Sequence, residues 1–150
     1  MSKIKSFRGL MASGSQDTIV LHTNNGSTGY KIVKFDLIST DVGTATTELV
    51  CKIYKISQTT VDGTIDFSDN TLLGAAYFAV KGDNYSGLES VIFDNEIFNQ
   101  DIYVTMQAVG GTSAGNYYIE LEQIKLDLTE NTVATLRDIR NIEGGLFPTV

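Results

Sequence analysis

A thiol with a base beside it, two acids across a cleft, or a ring of metal ligands is the least a catalytic centre needs. This chain has few residues from which to build any of them. Its one cysteine, Cys51, stands in Glu48-Leu49-Val50-Cys51-Lys52-Ile53, and its one histidine, His22, in Ile19-Val20-Leu21-His22-Thr23. Sequence does not forbid a Cys–His pair, in which the imidazole would help form the thiolate. Both runs read as strands, however, and there Cys51 is a small buried hydrophobe. One His and one Cys provide no zinc ligand set. Asp62, Asp66, Asp69 and Asn70 cluster, as do Asp94, Asn95 and Glu96, and calcium takes such oxygen ligands. Neither group has EF-hand spacing, and Asp and Asn are ordinary turn residues, so both read as turns and no metal or other cofactor is expected. Glu120 and Glu122 share one strand face beside Tyr118. Glycoside hydrolysis needs its carboxyls on opposite sides of a cleft, so this pair reads as a solvated or interface-facing strip. Gly110-Gly111-Thr112-Ser113-Ala114-Gly115 lacks a phosphate-loop lysine and precedes a strand, and no nucleophile elbow is expected. No catalytic residue is assigned; the expectation is a protein that binds and assembles without being an enzyme.

The elements that must carry these residues form one domain of 150 residues. Hydrophobic residues make up 42% and charged residues 19%, a globular balance. The net charge is −7, and all of it lies in the second half, because residues 1–75 hold seven acids and seven bases. An acidic chain repels phosphate backbones, which argues against nucleic acid as a partner. No apolar run follows the early positive charges, and Leu72 to Val80 is too short to span a bilayer. The expectation is therefore no membrane and a reducing cytoplasm as the place of synthesis.

Thr, Val, Ile, Tyr and Phe alternate between glycines, which is a β pattern. Residues 1–15 read as an N-terminal arm, with Lys3, Lys5 and Arg8 around Phe7. Strands are expected at Asp17–Thr23 and Tyr30–Ser39, joined by an Asn25-Gly26 hairpin turn, with the second strand in mid-sheet because both its faces are mixed. Further strands follow at Thr47–Ser57, Ser90–Phe93, Asp101–Ala108 and Asn116–Leu126. The last two are read as a hairpin across Gly110–Gly115. A short helix capped by Ser68 or Asp69 is expected to hold Leu72, Leu73 and Ala76. Ile124 and Leu126 fall out of phase with Tyr117, Ile119 and Leu121, which places a β-bulge near Gln123. From Thr129 the period changes: Val133, Leu136 and Ile139 predict a C-terminal helix ended by Gly144-Gly145, with an apolar tail to Val150. The expected fold is an all-β antiparallel sandwich, jelly-roll-like, over 16–128 between the arm and a helix and tail at 129–150.

Three stretches carry a family resemblance: Ile4-Lys5-Ser6-Phe7-Arg8-Gly9, the run Val91 to Thr105, and Asn116 to Leu126 with Asn131 to Arg140. Together they resemble a family of small structural proteins of tailed phages of marine bacteria. The resemblance implies a virion component, of the kind that decorates or cements a capsid shell, often as a trimer. The implied partners are a major capsid protein or other virion protein and further copies of the chain, and the implied place is the capsid surface. Lys3, Lys5, Phe7 and Arg8 at one end, and Leu136, Ile139, Phe147 and Val150 at the other, are the candidate interface residues. A tail or adhesion component and a carbohydrate-binding sandwich module are the alternatives; the lack of tryptophan weakens the latter.

Overall fold

The computed structural model describes residues 3–24, 26–40, 46–81, 88–111 and 113–126. The expected C-terminal helix and tail, with Leu136, Ile139, Phe147 and Val150, lie outside these residues.

Eight strands form: β1 (Lys3–Met11), β2 (Ser15–Ile19), β3 (Thr28–Ser39), β4 (Thr46–Tyr54), β5 (Leu72–Lys81), β6 (Leu88–Phe93), β7 (Ile102–Gly110) and β8 (Gly115–Lys125). They make two antiparallel sheets, ordered β1-β8-β3 and β2-β7-β4-β5-β6, so the fold is the expected all-β sandwich. Alternation decides what lies between the sheets. Leu49, Cys51 and Ile53 of β4 and Ile102, Val104 and Met106 of β7 face Ile32, Phe35 and Leu37 of β3 and Ile119 and Leu121 of β8, all at 2% exposure or less. Each such side chain contributes about 1.5–3 kcal/mol by burial.

Several local expectations give way to this arrangement. The segment read as an arm is β1, an edge strand paired with β8 from Lys3↔Gln123 to Met11↔Gly115. The Asn25-Gly26 turn joins no hairpin: β2 and β3 lie in different sheets, and Gly26, at φ 63°, turns a crossing between them. Gly110–Gly115 likewise carries the chain from one sheet to the other. There a Cβ on Gly115 would stand 2.7 Å from Met106 Sδ, so a side chain fits only if the buried Met106 shifts. β3 is an edge strand, not a central one. Its mixed faces come from a bulge between Ile32 and Lys34, which turns Tyr30 and Ile32 inward and then, one residue out of phase, Phe35 and Leu37. The bulge expected in β8 near Gln123 is absent: β8 pairs without a break with β1 from Gln123 and with β3 from Lys125 to Leu121, so Ile124 stays on the side of Glu120 and Glu122. The expected helix is absent: residues 66–71 are turns and Leu72 opens β5.

The connector 55–71 packs on the outer face of the larger sheet. Its base is closed by Lys55 N–H donating to Thr71 O at 2.8 Å. Gly63 lies so close to β7 that a Cβ would stand 2.2 Å from Val109 Cγ1. Beneath it Val50, Lys52, Tyr54 and Thr105, on the side of the sheet away from the core, are buried. Among the described residues, the connector thus covers the β4–β7 part of the larger sheet's outer face, with Ile92 of β6 still 51% exposed, and none covers the outer face of the smaller sheet.

Candidate functional site: an uncovered sheet face and a groove

The outer face of β1-β8-β3 is built around β8. Tyr117, Ile119 and Leu121 turn into the core, so Asn116, Tyr118, Glu120 and Glu122 turn outward. Pairing sets their neighbours in rows: Leu10, Asn116 and Ile38; Arg8, Tyr118 and Asp36; Ser6, Glu120 and Lys34; Ile4, Glu122 and Lys31. The centre is polar and internally matched. Tyr118 Oη donates to Glu120 Oε2 at 2.8 Å, and Lys34 Nζ lies 5.6 Å from the centre of the Tyr118 ring. Lys31 pairs with Glu122 at 3.4 Å and Lys34 with Asp36 at 3.9 Å. The hydrogen bond to Glu120 holds the Tyr118 hydroxyl above its ordinary pKa. Three bases (Arg8, Lys31, Lys34) balance three acids (Asp36, Glu120, Glu122), on a protein whose net charge is −7.

Apolar side chains flank this centre: Ile4, Leu10 and Ile38 are each more than half exposed. At the Leu10–Ile38 end, Arg8, Asp36, Asn116 and Tyr118 line a depression of about 450 Å³.

Of Lys3, Lys5, Phe7 and Arg8, expected at an interface, only Arg8 lies on this face. Phe7 packs against the core, Lys5 lies 6.0 Å from the centre of the buried Tyr30 ring, and Lys3 is exposed where the strand begins. The Glu120–Glu122 strip with Tyr118 does face outward, as the alternation indicates. Leu10 lies in the segment expected as an arm and Ile38 in a strand expected in mid-sheet; pairing of β1 and β3 with β8 turns both outward.

Cys51 and His22 do not meet. Cys51 is wholly buried, and burial followed by the charge of Asp17 pushes its thiol far above the usual range. His22 is at the surface, where Asp101 Oδ1 lies 2.7 Å from its Nδ1 and accepts from the N–H groups of Leu21 and His22 at 2.8 and 3.0 Å. Burial opposes ionisation of Asp101, but these bonds outweigh it and hold the carboxyl below its ordinary value. The dyad ties the β2–β3 crossing to the start of β7. Gly111-Thr112-Ser113-Ala114-Gly115 does have the spacing of a nucleophile elbow, a pattern the sequence reading missed. It leads from strand to strand, not into a helix. Ser113 follows the far end of β7 from Asp101, and nine extended residues hold the two roughly 25 Å apart. No triad can form.

A second concavity, of about 470 Å³, lies where the connector meets β5 and β6. Phe67, 66% exposed, and Ile92, 51% exposed, stand at it with Asp69, Asn70, Asp94 and Glu96. Asp69 Oδ1 accepts from Thr71 N–H at 2.9 Å and Thr71 Oγ1 at 2.6 Å, and Glu96 accepts from Lys55 Nζ. Among the described residues the side chains of Asn70 and Asp94 have no polar partner, and no group of three or more His, Cys, Asp or Glu residues is placed to hold a metal ion. The acids of 62–70 do make turns: Asp66 Oδ1 accepts from Ser68, and Asp62 Oδ1 from Thr64 N–H.

The chain matches no family in a comparison with known protein families, and no curated protein matches it.

Proposed function

We propose that this chain is a non-enzymatic structural subunit of a virion, a capsid decoration or cement protein that packs on the shell and on copies of itself. The outer face of β1-β8-β3 is its docking surface. One observation carries the reading: on an acidic protein, one sheet face that no other described residue covers is charge-balanced and flanked by Ile4, Leu10 and Ile38. Exposed apolar groups around matched charges are what an interface uses, the apolar groups for affinity and the charges for register. The likeness of the Ile4–Gly9, Val91–Thr105 and Asn116–Leu126 stretches to phage structural proteins supports the same reading.

The test is the mass of the purified protein by light scattering. A trimer is expected, and Leu10→Asp with Ile38→Asp should give a monomer with an unchanged urea midpoint, since both side chains are exposed. A monomeric wild type, or a double variant that still assembles, overturns the assignment of this face. Immunogold labelling of particles should place the protein over the head; label confined to the tail would replace the cement role with an adhesion role.

A further inference from the structure

We infer that the groove between Phe67 and Ile92 binds a neutral saccharide. Phe67 is held out by a stack of turns. Asp66 Oδ1 accepts from the N–H and Oγ of Ser68 at 2.9 and 2.6 Å, Asp69 N–H donates to Asp66 O at 3.1 Å, and Leu72 N–H donates to Asp69 O at 3.2 Å. The ring is therefore presented to solvent by backbone that is bonded on both sides of it, a preorganised platform. Such a ring offers an apolar face with a negative quadrupole, which suits the C–H face of a pyranose.

The polar groups fit the same ligand. Asn70 supplies two N–H donors and a carbonyl acceptor, and the Asp94 carboxylate supplies acceptors, and neither is engaged by another described side chain. A donor–acceptor amide beside an acceptor carboxylate matches the vicinal hydroxyls of a sugar. The volume, about 470 Å³, lies within the range of small-ligand clefts. Other ligand classes fit less well. A metal ion would find Asp69 occupied by Thr71 and Glu96 by Lys55. An anion, including an acidic sugar, would meet Asp94 with Asp69 and Glu96 nearby. A wholly apolar ligand would strip water from Asn70 and Asp94 without replacing it.

The test is an NMR titration of the ¹⁵N-labelled full chain with cellohexaose, maltohexaose, laminarihexaose and mannohexaose, each to about 10 mM, where weak single-site sugar binding is still visible. At least one should shift the amides of Phe67, Asn70, Gly74, Ile92 and Asp94 and leave those of β1 and β8 unmoved. Phe67→Ala should weaken that binding roughly tenfold with an unchanged urea midpoint, because the ring is exposed. Asp94→Ala should weaken it with the fold equally intact. No shift with any of the four sugars, or binding that survives Phe67→Ala, overturns the inference. Stronger binding of an oligogalacturonate than of all four overturns the neutral class. Because the proposed docking face is on the other sheet, its failure in light scattering leaves this result standing, and the reverse.

Discussion

Lys52 places an ammonium beneath the connector, with its side chain only 3% exposed. Its Nζ donates to Asp62 Oδ1 at 3.1 Å and to Thr64 O at 2.6 Å, and lies 5.5 Å from the centre of the Tyr54 ring. Asp62→Ala would leave that buried charge with a single acceptor. A hydrogen bond to a charged group is worth about 1.5–3 kcal/mol. Asp62 is 55% exposed, so water screens the pair and partly replaces the lost carboxylate. The expected loss is therefore at the low end, about 1.5 kcal/mol. Lys52→Met removes the charge itself, keeps the apolar stem and returns Asp62 to water, so its cost should stay below about 0.5 kcal/mol. With a urea slope of about 2 kcal/mol/M, Asp62→Ala should lower the unfolding midpoint by roughly 0.7 M and Lys52→Met should barely move it. The hydrogen bond from Lys52, then that from Thr64 N–H, holds the Asp62 carboxyl below its ordinary 3.8. A depressed folded value stabilises above 3.8 and loses that contribution as the pH falls through the folded value. The gap between wild type and Asp62→Ala should therefore close in acid. If Lys52→Met costs as much as Asp62→Ala, the pair is net stabilising and the argument from a stranded ammonium fails.

Thr105 Oγ1 is buried under the same connector with no partner among the described residues, so Thr105→Val should raise the thermal midpoint, by about 1 kcal/mol of stability. Gly115→Ala should destabilise by about 1–3 kcal/mol in urea melts, because the new methyl meets Met106 Sδ and Cε and Leu49 Cδ1; Gly14→Ala tests a different cost, since there the space is open and only the φ of +81° resists. Cys51 should react with Ellman's reagent at the rate of global unfolding, its thiol being buried and its pKa raised; rapid labelling of the native protein would disprove the core placement.

Much of this protein is legible in its sequence because β alternation is local. Leu49-Cys51-Ile53, Ile102-Val104-Met106 and Tyr117-Ile119-Leu121 name their own inner faces, and the strip Tyr118-Glu120-Glu122 names an outer one; Ile4-Ser6-Arg8-Leu10, in the segment read as an arm, joins it only through the pairing of β1 with β8. The sandwich follows, as do the burial of Cys51 and the turn roles of Asp62, Asp66 and Asp69. Pairing is not local, and only the tertiary structure decided it. Whether Asn25-Gly26 closes a hairpin or turns a crossing depends on where β2 and β3 find partners, and β2 joins β7 while β3 joins β8. The apolar phase slip at Ile124 and Leu126 suggests a bulge near Gln123 where the register of β8 has none, and the bulge that does form, at Val33, is fixed by the β3–β8 register. The buried Lys52 could not be foreseen, because its burial comes from the connector 55–71 folding over a face that alternation marks as outer. For the same reason, the proposed docking face is the outer side of the smaller sheet and not that of the larger one: both sheets have a patterned outer face, and the connector covers only one.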